Sequence, residues 1–292
     1  MEADKLLLLL LQADARGESM NEKAVHVREL AGWDLDTDEY RSGDFSPDKL
    51  SSARRIIAQR KAFETWNALL EEESDMLQDS LSAHRSRADL HDEMTGLEWS
   101  LGVVDLRFLL AFQRRLAFHS EFPQISIPTE EDWPALIALS FGPARPVEYE
   151  LIRDPAAGTF VLQSGNPNLH LRVSKDAPAA ISVHAGSPFF EVAQYRGRWF
   201  LRDGYHRAYA LLQAGIFRAP AAIVQARTLE ELGAVQPWFF SEEILFSSAP
   251  PRVMDFLDDA LTIEYDRPLL IKTLRVTIEE ALEPATSTGG SI

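Results

Sequence analysis

Four residues in the stretch "FLRDGYHRAYALLQAG" (200–215) carry side chains or backbone freedom suited to chemistry: Asp203, Gly204, His206 and Arg207. An apolar run ends just before them and a helical pattern begins just after. Asp203 can accept a free N–H of a first helical turn. Gly204 lets the chain turn sharply and approach a ligand closely. A helix N-terminus carries unpaired N–H groups and partial positive charge, which suits an anion. Arg207 adds a fork that can grip phosphate with two hydrogen bonds. His206 could donate a hydrogen bond or move a proton, and Asp203 could cap the helix or help to hold Mg²⁺.

The local charge agrees with an anion site. Residues 196–227 hold six arginines (Arg196, Arg198, Arg202, Arg207, Arg218 and Arg227) and one acid, Asp203, in a chain of net charge −16. The structural alternative for each residue is plainer: a cap, a surface histidine, and an arginine paired with a distant carboxylate.

The elements that must position these residues follow. "GRWFLRD" reads as a strand, Gly204 as a turn, and Tyr205, Ala208, Tyr209 and Leu212 as one apolar helical stripe that leaves His206 and Arg207 outside it. Gly215 stops the helix and "RAPAAIVQA" (218–226) starts a strand. Upstream, "QYRGRW" places a hairpin turn at Arg196-Gly197. "PVEYELI" (146–152), "GTFVLQ" (158–163), "NPNLHLRVS" (166–174) and "PFFEVAQY" (188–195) have strand texture. "PTEEDWPALIALSFG" (128–142) reads as a short helix capped by Thr129. "GVVDLRFLLAFQRRLAF" (102–118) reads as a strand followed by a turn or short helix.

The first hundred residues read as helical. Ser46-Pro47-Asp48 is a helix start, and apolar residues from Leu50 to Leu81 recur at spacings of three and four, as in one amphipathic helix or two with a break. Glu71, Glu72 and Glu73 read as a solvated face. The leucine run "KLLLLLLQ" (5–12) is too short to span a bilayer and follows Glu2 and Asp4, so it reads as a buried or partner-binding helix. After residue 226, "TLEELGA" and "PPRVMDFLDDAL" read as short helices and 262–280 as β-rich. Trp199, Phe200, Trp238, Phe239 and Phe240 read as core, with "QPWFFSEEILF" a partner surface if exposed. The expected layout is α+β: a helical region over 1–100, an α+β domain over 101–283, and a loose tail over 284–292.

The 292 residues contain 46% hydrophobic and 25% charged side chains and no cysteine. Disulfides and thiolate chemistry are therefore excluded, and a cytoplasmic location is expected. The acidic balance argues against nucleic acid and membranes. His84 and His91 stand seven apart, on one face if a single helix carries both. Walker A, G-x-G-x-x-G, H-E-x-x-H and G-x-S-x-G motifs are absent.

"DGYHRAYALLQAG" resembles the strand–turn–helix of the ParB/sulfiredoxin-like superfamily, in particular the D-G-H-T-R-A type turn of its free serine kinases. "VVDLRFLLAFQRR" (103–115), followed by "EEDWPALIALSFG" (130–142), is similar to the ParB opening. The resemblance covers about residues 102–226. It implies a mixed sheet with short helices, a nucleotide (ATP, ADP or CTP) or another phosphorylated small molecule as ligand, and Mg²⁺. Gly204, Tyr205, His206 and Arg207, with Gln113, Arg114 and Arg115, would line the phosphates. His206 and Asp203 would be catalytic, with Asp203 on the metal. A kinase of this group also needs a glutamate base, for which Glu121 and Glu191 are candidates. The chain departs from sulfiredoxin, since Tyr205 stands where that enzyme has its cysteine. It also departs from ParB proper, since 227–292 does not read as helix-turn-helix. A non-catalytic module with a protein partner on the N-terminal region, and a ParB-like nuclease or DNA binder, are the alternatives.

Overall fold

The structure, a computed structural model, describes residues 24–42, 46–70, 75–118, 125–143, 148–154, 158–166, 168–173, 181–185 and 187–277. The leucine run 5–12, Glu71–Glu73, Glu121 and the tail 284–292 lie outside the described residues. The fold is mixed α/β, with several sheets and few helices.

The sheet that positions the site has six strands. They are β2 (Leu69–Leu70), β3 (Trp99–Asp105), β4 (Leu110–Ala111), β10 (Glu191–Tyr195), β11 (Arg198–Asp203) and β12 (Arg218–Ala226). Their order is β2-β3-β12-β10-β11-β4. The β10–β11 hairpin turns at Arg196 (φ 49°) and Gly197 (φ 75°), where a two-residue turn needs positive φ. β11 runs into α5 (Tyr205–Gln213), and the chain returns as β12, parallel to β10. Tyr205, Ala208, Leu211 and Leu212 bury the inner face of α5.

A second sheet sets β1 (Ala24–Leu30) between β13 (Thr262–Pro268) and β5 (Arg115–Phe118). Residues 24–30 therefore form a strand, although the N-terminal hundred residues read as helical. Val25 and Val27 alternate with exposed positions, and the strand is fixed by partners distant in the chain, β5 on one side and β13 on the other. Two smaller sheets complete the β structure. One has the order β14 (Lys272–Thr277), β7 (Thr159–Ser164), β6 (Glu150–Asp154); the other pairs β8 (Leu169–Val173) with β9 (Ile181–Ala185).

The remaining helices are short. α1 (Pro47–Gln59) starts after Ser46, with Pro47 in its first turn as expected, but the Ser46 side chain makes no capping bond. The amphipathic pattern over 46–86 is interrupted: α1 ends at Gln59, Leu69 and Leu70 form the sheet edge, and α2 is Asp75–Arg85. α3 (Ala88–Glu93) is separate, so His84 and His91 do not share one helix; His84 stacks on Phe141 and His91 meets Trp99 edge-on. α4 (Trp133–Ser140) is capped by Asp132, which accepts from Ala135 N at 3.1 Å, rather than by Thr129. α6 (Leu229–Leu232) and α7 (Glu242–Leu245) follow, and Val253–Leu257 form a 3₁₀ turn where a helix was expected. Trp199, Phe200 and Phe240 are buried, whereas Trp238 is 49% exposed. One hydrophobic cluster includes Val25 of β1, Leu77 of α2, Phe200 of β11 and Tyr265 of β13.

Candidate functional site

The strand–turn–helix at Asp203–Arg207 forms as the sequence predicts. Gly204, at φ 94°, is the N-cap residue, and Asp203 stands one residue before it. Asp203 Oδ1 accepts from Gly204 N at 2.5 Å and Oδ2 from Ser187 N at 3.3 Å, so its carboxylate caps the turn rather than the helix. A side chain at position 204 would place Cβ 2.8 Å from Phe190 Cδ2 and 3.2 Å from Arg207 Nη2, which explains the glycine.

Three predicted ligand groups have internal partners. Arg207 donates to the carbonyl oxygens of Leu139 (3.1 Å), Pro188 (2.7 Å) and Phe189 (2.7 Å). It ties α4 and the segment just before β10 to the helix mouth, in place of the phosphate fork expected for it. His206 Nε2 lies 2.9 Å from Ala117 O, which fixes the tautomer with hydrogen on Nε2. Burial holds the His206 ring below its ordinary pKa, so it stays neutral. Tyr205 accepts at its hydroxyl from the N–H groups of Phe112 (3.0 Å) and Gln113 (3.4 Å), and burial pushes the phenol up. The segment after β4 therefore packs along the start of α5.

Arg114 and Arg115 belong to that segment but their side chains are held elsewhere. Arg114 is buried against Phe240 and donates to Asp34 O (2.6 Å) and Phe239 O (3.3 Å). Arg115 pairs with Asp36, Glu29 (2.9 Å) and Asp38 (3.4 Å) in a network that Arg41 shares. Gln113 stays partly exposed and bridges to Phe239 through its backbone.

The wider arginine island disperses as well. Arg196 pairs with Glu242, Arg202 with Glu191, Arg218 with Glu130 (3.5 Å) and Arg227 with Glu231 (3.0 Å).

The group that emerges is a carboxylate pair. Glu191, the first residue of β10, lies directly opposite Asp203, the last of β11. Glu191 is fully buried; one oxygen accepts from Arg202, and the other, Oε1, has no partner among the described residues. Burial pushes the Glu191 carboxyl up to about 7; Arg202 and, more weakly, the nearby Ser187 side chain oppose this, and Asp203 and Glu93 add to it. Burial also raises Asp203, against the pull of Arg207. A buried acid opposite a second one is a common way to set a proton-handling group near neutrality.

Glu191 was one of two glutamate candidates in the sequence, and Arg202, Ser187 and Glu93 were not singled out. Counting back from the Tyr195–Arg198 pair places Glu191 opposite Arg202. A bulge between Glu191 and Val192 slips the register and puts it opposite Asp203.

Among the described residues no group of three or more His, Cys, Asp or Glu could hold a metal ion. No helix among them is long and apolar enough to cross a membrane. No protein-family model matches the chain, and neither a curated protein nor a solved structure matches it.

Proposed function

We propose that this chain is a ParB/sulfiredoxin-like enzyme that binds a nucleotide at the mouth of α5 and transfers or hydrolyses its terminal phosphoryl group. The buried Glu191 carboxyl, with one oxygen unpartnered and Asp203 opposite, carries the reading. A general base works best when its pKa lies near the operating pH, and Glu191 is pushed to about 7. Glu191 accepts the proton of an attacking hydroxyl or water. The first-turn N–H groups of α5, which a helix leaves without internal partners, receive phosphate oxygens. Arg207 is a positioning residue that holds the mouth open through three carbonyls.

Mg²⁺ binds nucleotide sites through one or two carboxylates plus phosphate oxygens and water. Asp203 supplies one such carboxylate at the turn and would hold the ion, which leaves the free oxygen of Glu191 to take the proton. The ion would supply charge neutralisation for the phosphates.

The test is a thermal-shift panel of ATP, ADP and CTP with and without Mg²⁺, paired with release or transfer of labelled γ-phosphate to water and free amino acids. A saturable rise in Tm is expected for wild type by mass action. Glu191→Gln should keep the rise and lose at least about a hundredfold in turnover. No shift with any nucleotide ends the reading.

A second reading has one observation behind it. The side chains of Arg207, His206 and Tyr205 all bond to backbone groups, as in a purely structural junction of a non-catalytic module. That reading predicts no nucleotide response and a loss of stability alone when Arg207 is changed.

A further inference from the structure

The small β8–β9 sheet carries a histidine on each strand. His170 of β8 and His184 of β9 are register partners, so their side chains leave the same face of the sheet at neighbouring positions. Their rings face one another, with centroids 5.7 Å apart and planes inclined by 26°. Leu169 is fully buried, and strand alternation turns His170 to the opposite face. Both histidines are half-buried there.

The ring of His170 is oriented by the turn that precedes it. Its Nδ1 lies 2.8 Å from Asn168 O. A carbonyl oxygen only accepts, so the hydrogen is on Nδ1 and the lone pair is on Nε2. Asn168 is held in turn: its N–H donates to Asn166 Oδ1 at 2.9 Å, and Asn166 N donates to Ser164 Oγ at 3.1 Å. Ser164 Oγ donates to Glu148 O at 2.6 Å. A metal-ligating histidine ordinarily has its far N–H tied to a carbonyl or carboxylate in this way. The tie fixes the tautomer and the ring orientation, and it raises the basicity of the other nitrogen.

The spacing of the pair suits a shared ion. Two imidazoles on one tetrahedral Zn²⁺, each nitrogen about 2.0–2.1 Å from the metal, have ring centroids roughly 5 Å apart. The 5.7 Å between His170 and His184 is close to that, and a small turn of either ring about χ2, a soft torsion, closes the difference. Stacking alone does not account for the residue types, since two phenyl rings would stack there as well and bring no nitrogen lone pair. The net charge of −16 draws cations to the surface. Imidazole suits Zn²⁺, Cu²⁺ and Ni²⁺, whereas Mg²⁺ and Ca²⁺ take oxygen ligands.

We propose that His170 and His184 form a two-histidine site for a late first-row divalent metal ion such as Zn²⁺, with water completing the coordination. The ion joins β8 to β9. The site uses neither Glu191 nor Asp203 and does not rest on the function proposed for them.

Zn²⁺ is the probe, added to the full chain in excess Mg²⁺ so that oxygen-ligand sites, the one at Asp203 included, are already filled. Calorimetric titration should show saturable uptake, and Zn²⁺ should raise Tm by mass action. His170→Gln and His184→Gln should each weaken Zn²⁺ by at least the roughly tenfold that loss of an outer-shell partner costs. His84→Gln and His91→Gln, whose rings meet Phe141 and Trp99 rather than a second histidine, should bind as wild type does. The proposal is overturned if wild type shows no saturable uptake, if either β8–β9 variant binds as wild type does, or if His84→Gln or His91→Gln weakens Zn²⁺ as much. Should a β8–β9 variant not fold, NMR of the histidine ring nitrogens in wild type decides the matter. Movement of the His170 and His184 signals together on adding Zn²⁺ supports the site, and movement of one or neither overturns it.

Discussion

Glu191 makes a claim about stability as well as chemistry. Its carboxyl is held at about 7 in the folded chain against an ordinary value of 4.5, chiefly because burial disfavours the charged form. Between those two values the folded chain binds more protons at this group than the unfolded chain does. Its contribution is therefore fully present below about pH 4.5 and is lost as pH rises through about 7. Replacing it by glutamine removes the titration and keeps the shape. The difference in unfolding free energy between Glu191→Gln and wild type should grow across that window, by roughly 3 kcal/mol in favour of the variant. Urea unfolding at a series of pH values measures it. A difference that does not change with pH would mean that Arg202 keeps Glu191 ionised, and the proton-handling role would fall with it.

The hairpin, turn and helix around this pair show what an element demands of single positions. Gly204 sits at φ 94°, and an added Cβ would meet the buried ring of Phe190 at 2.8 Å. Gly215 has a similar φ of 79°, yet a Cβ there meets nothing within 4 Å. Gly204→Ala should therefore cost about 3 kcal/mol, backbone strain plus a displaced core ring, and Gly215→Ala about 1 kcal/mol. Thermal or urea melts of the two variants compare them directly; equal losses would show that Phe190 yields without cost. This part of the fold was legible in the sequence because its signals are local. Arg196-Gly197 needs positive φ, Gly204 interrupts an apolar run, and the α5 stripe repeats at helical spacing. β1 was not legible, because its seven residues acquire meaning only from β13 and β5. Leu69 and Leu70 kept the helical spacing but were drawn out to pair with β3.

Charge is where the whole molecule departs most from its sequence. Six arginines in 196–227 look like one basic island because neighbours in the chain are counted together. Folding scatters them: four meet carboxylates at Glu130, Glu191, Glu231 and Glu242, while Arg198 and Arg207 donate to backbone carbonyls, as Arg202 also does. The carboxylate pair was half visible, since Glu191 stood among the candidates while the bulge that sets it opposite Asp203 has no sequence mark. The same long-range logic governs the first hundred residues. β1 is the centre of a three-stranded sheet, and its buried Glu29 accepts from Arg41, Arg115 and Tyr265. Removing β1 would leave β5 and β13 without their shared partner, expose Leu116 and Ile263, and strand the Arg115 guanidinium. A chain beginning at residue 101 should therefore lack a cooperative thermal transition and show little amide protection in 262–268, in contrast to the full chain. If that shorter chain melted cooperatively with protected β13 amides, the later residues would form a unit of their own, and the ion network around Glu29 would be a surface attachment rather than part of the core.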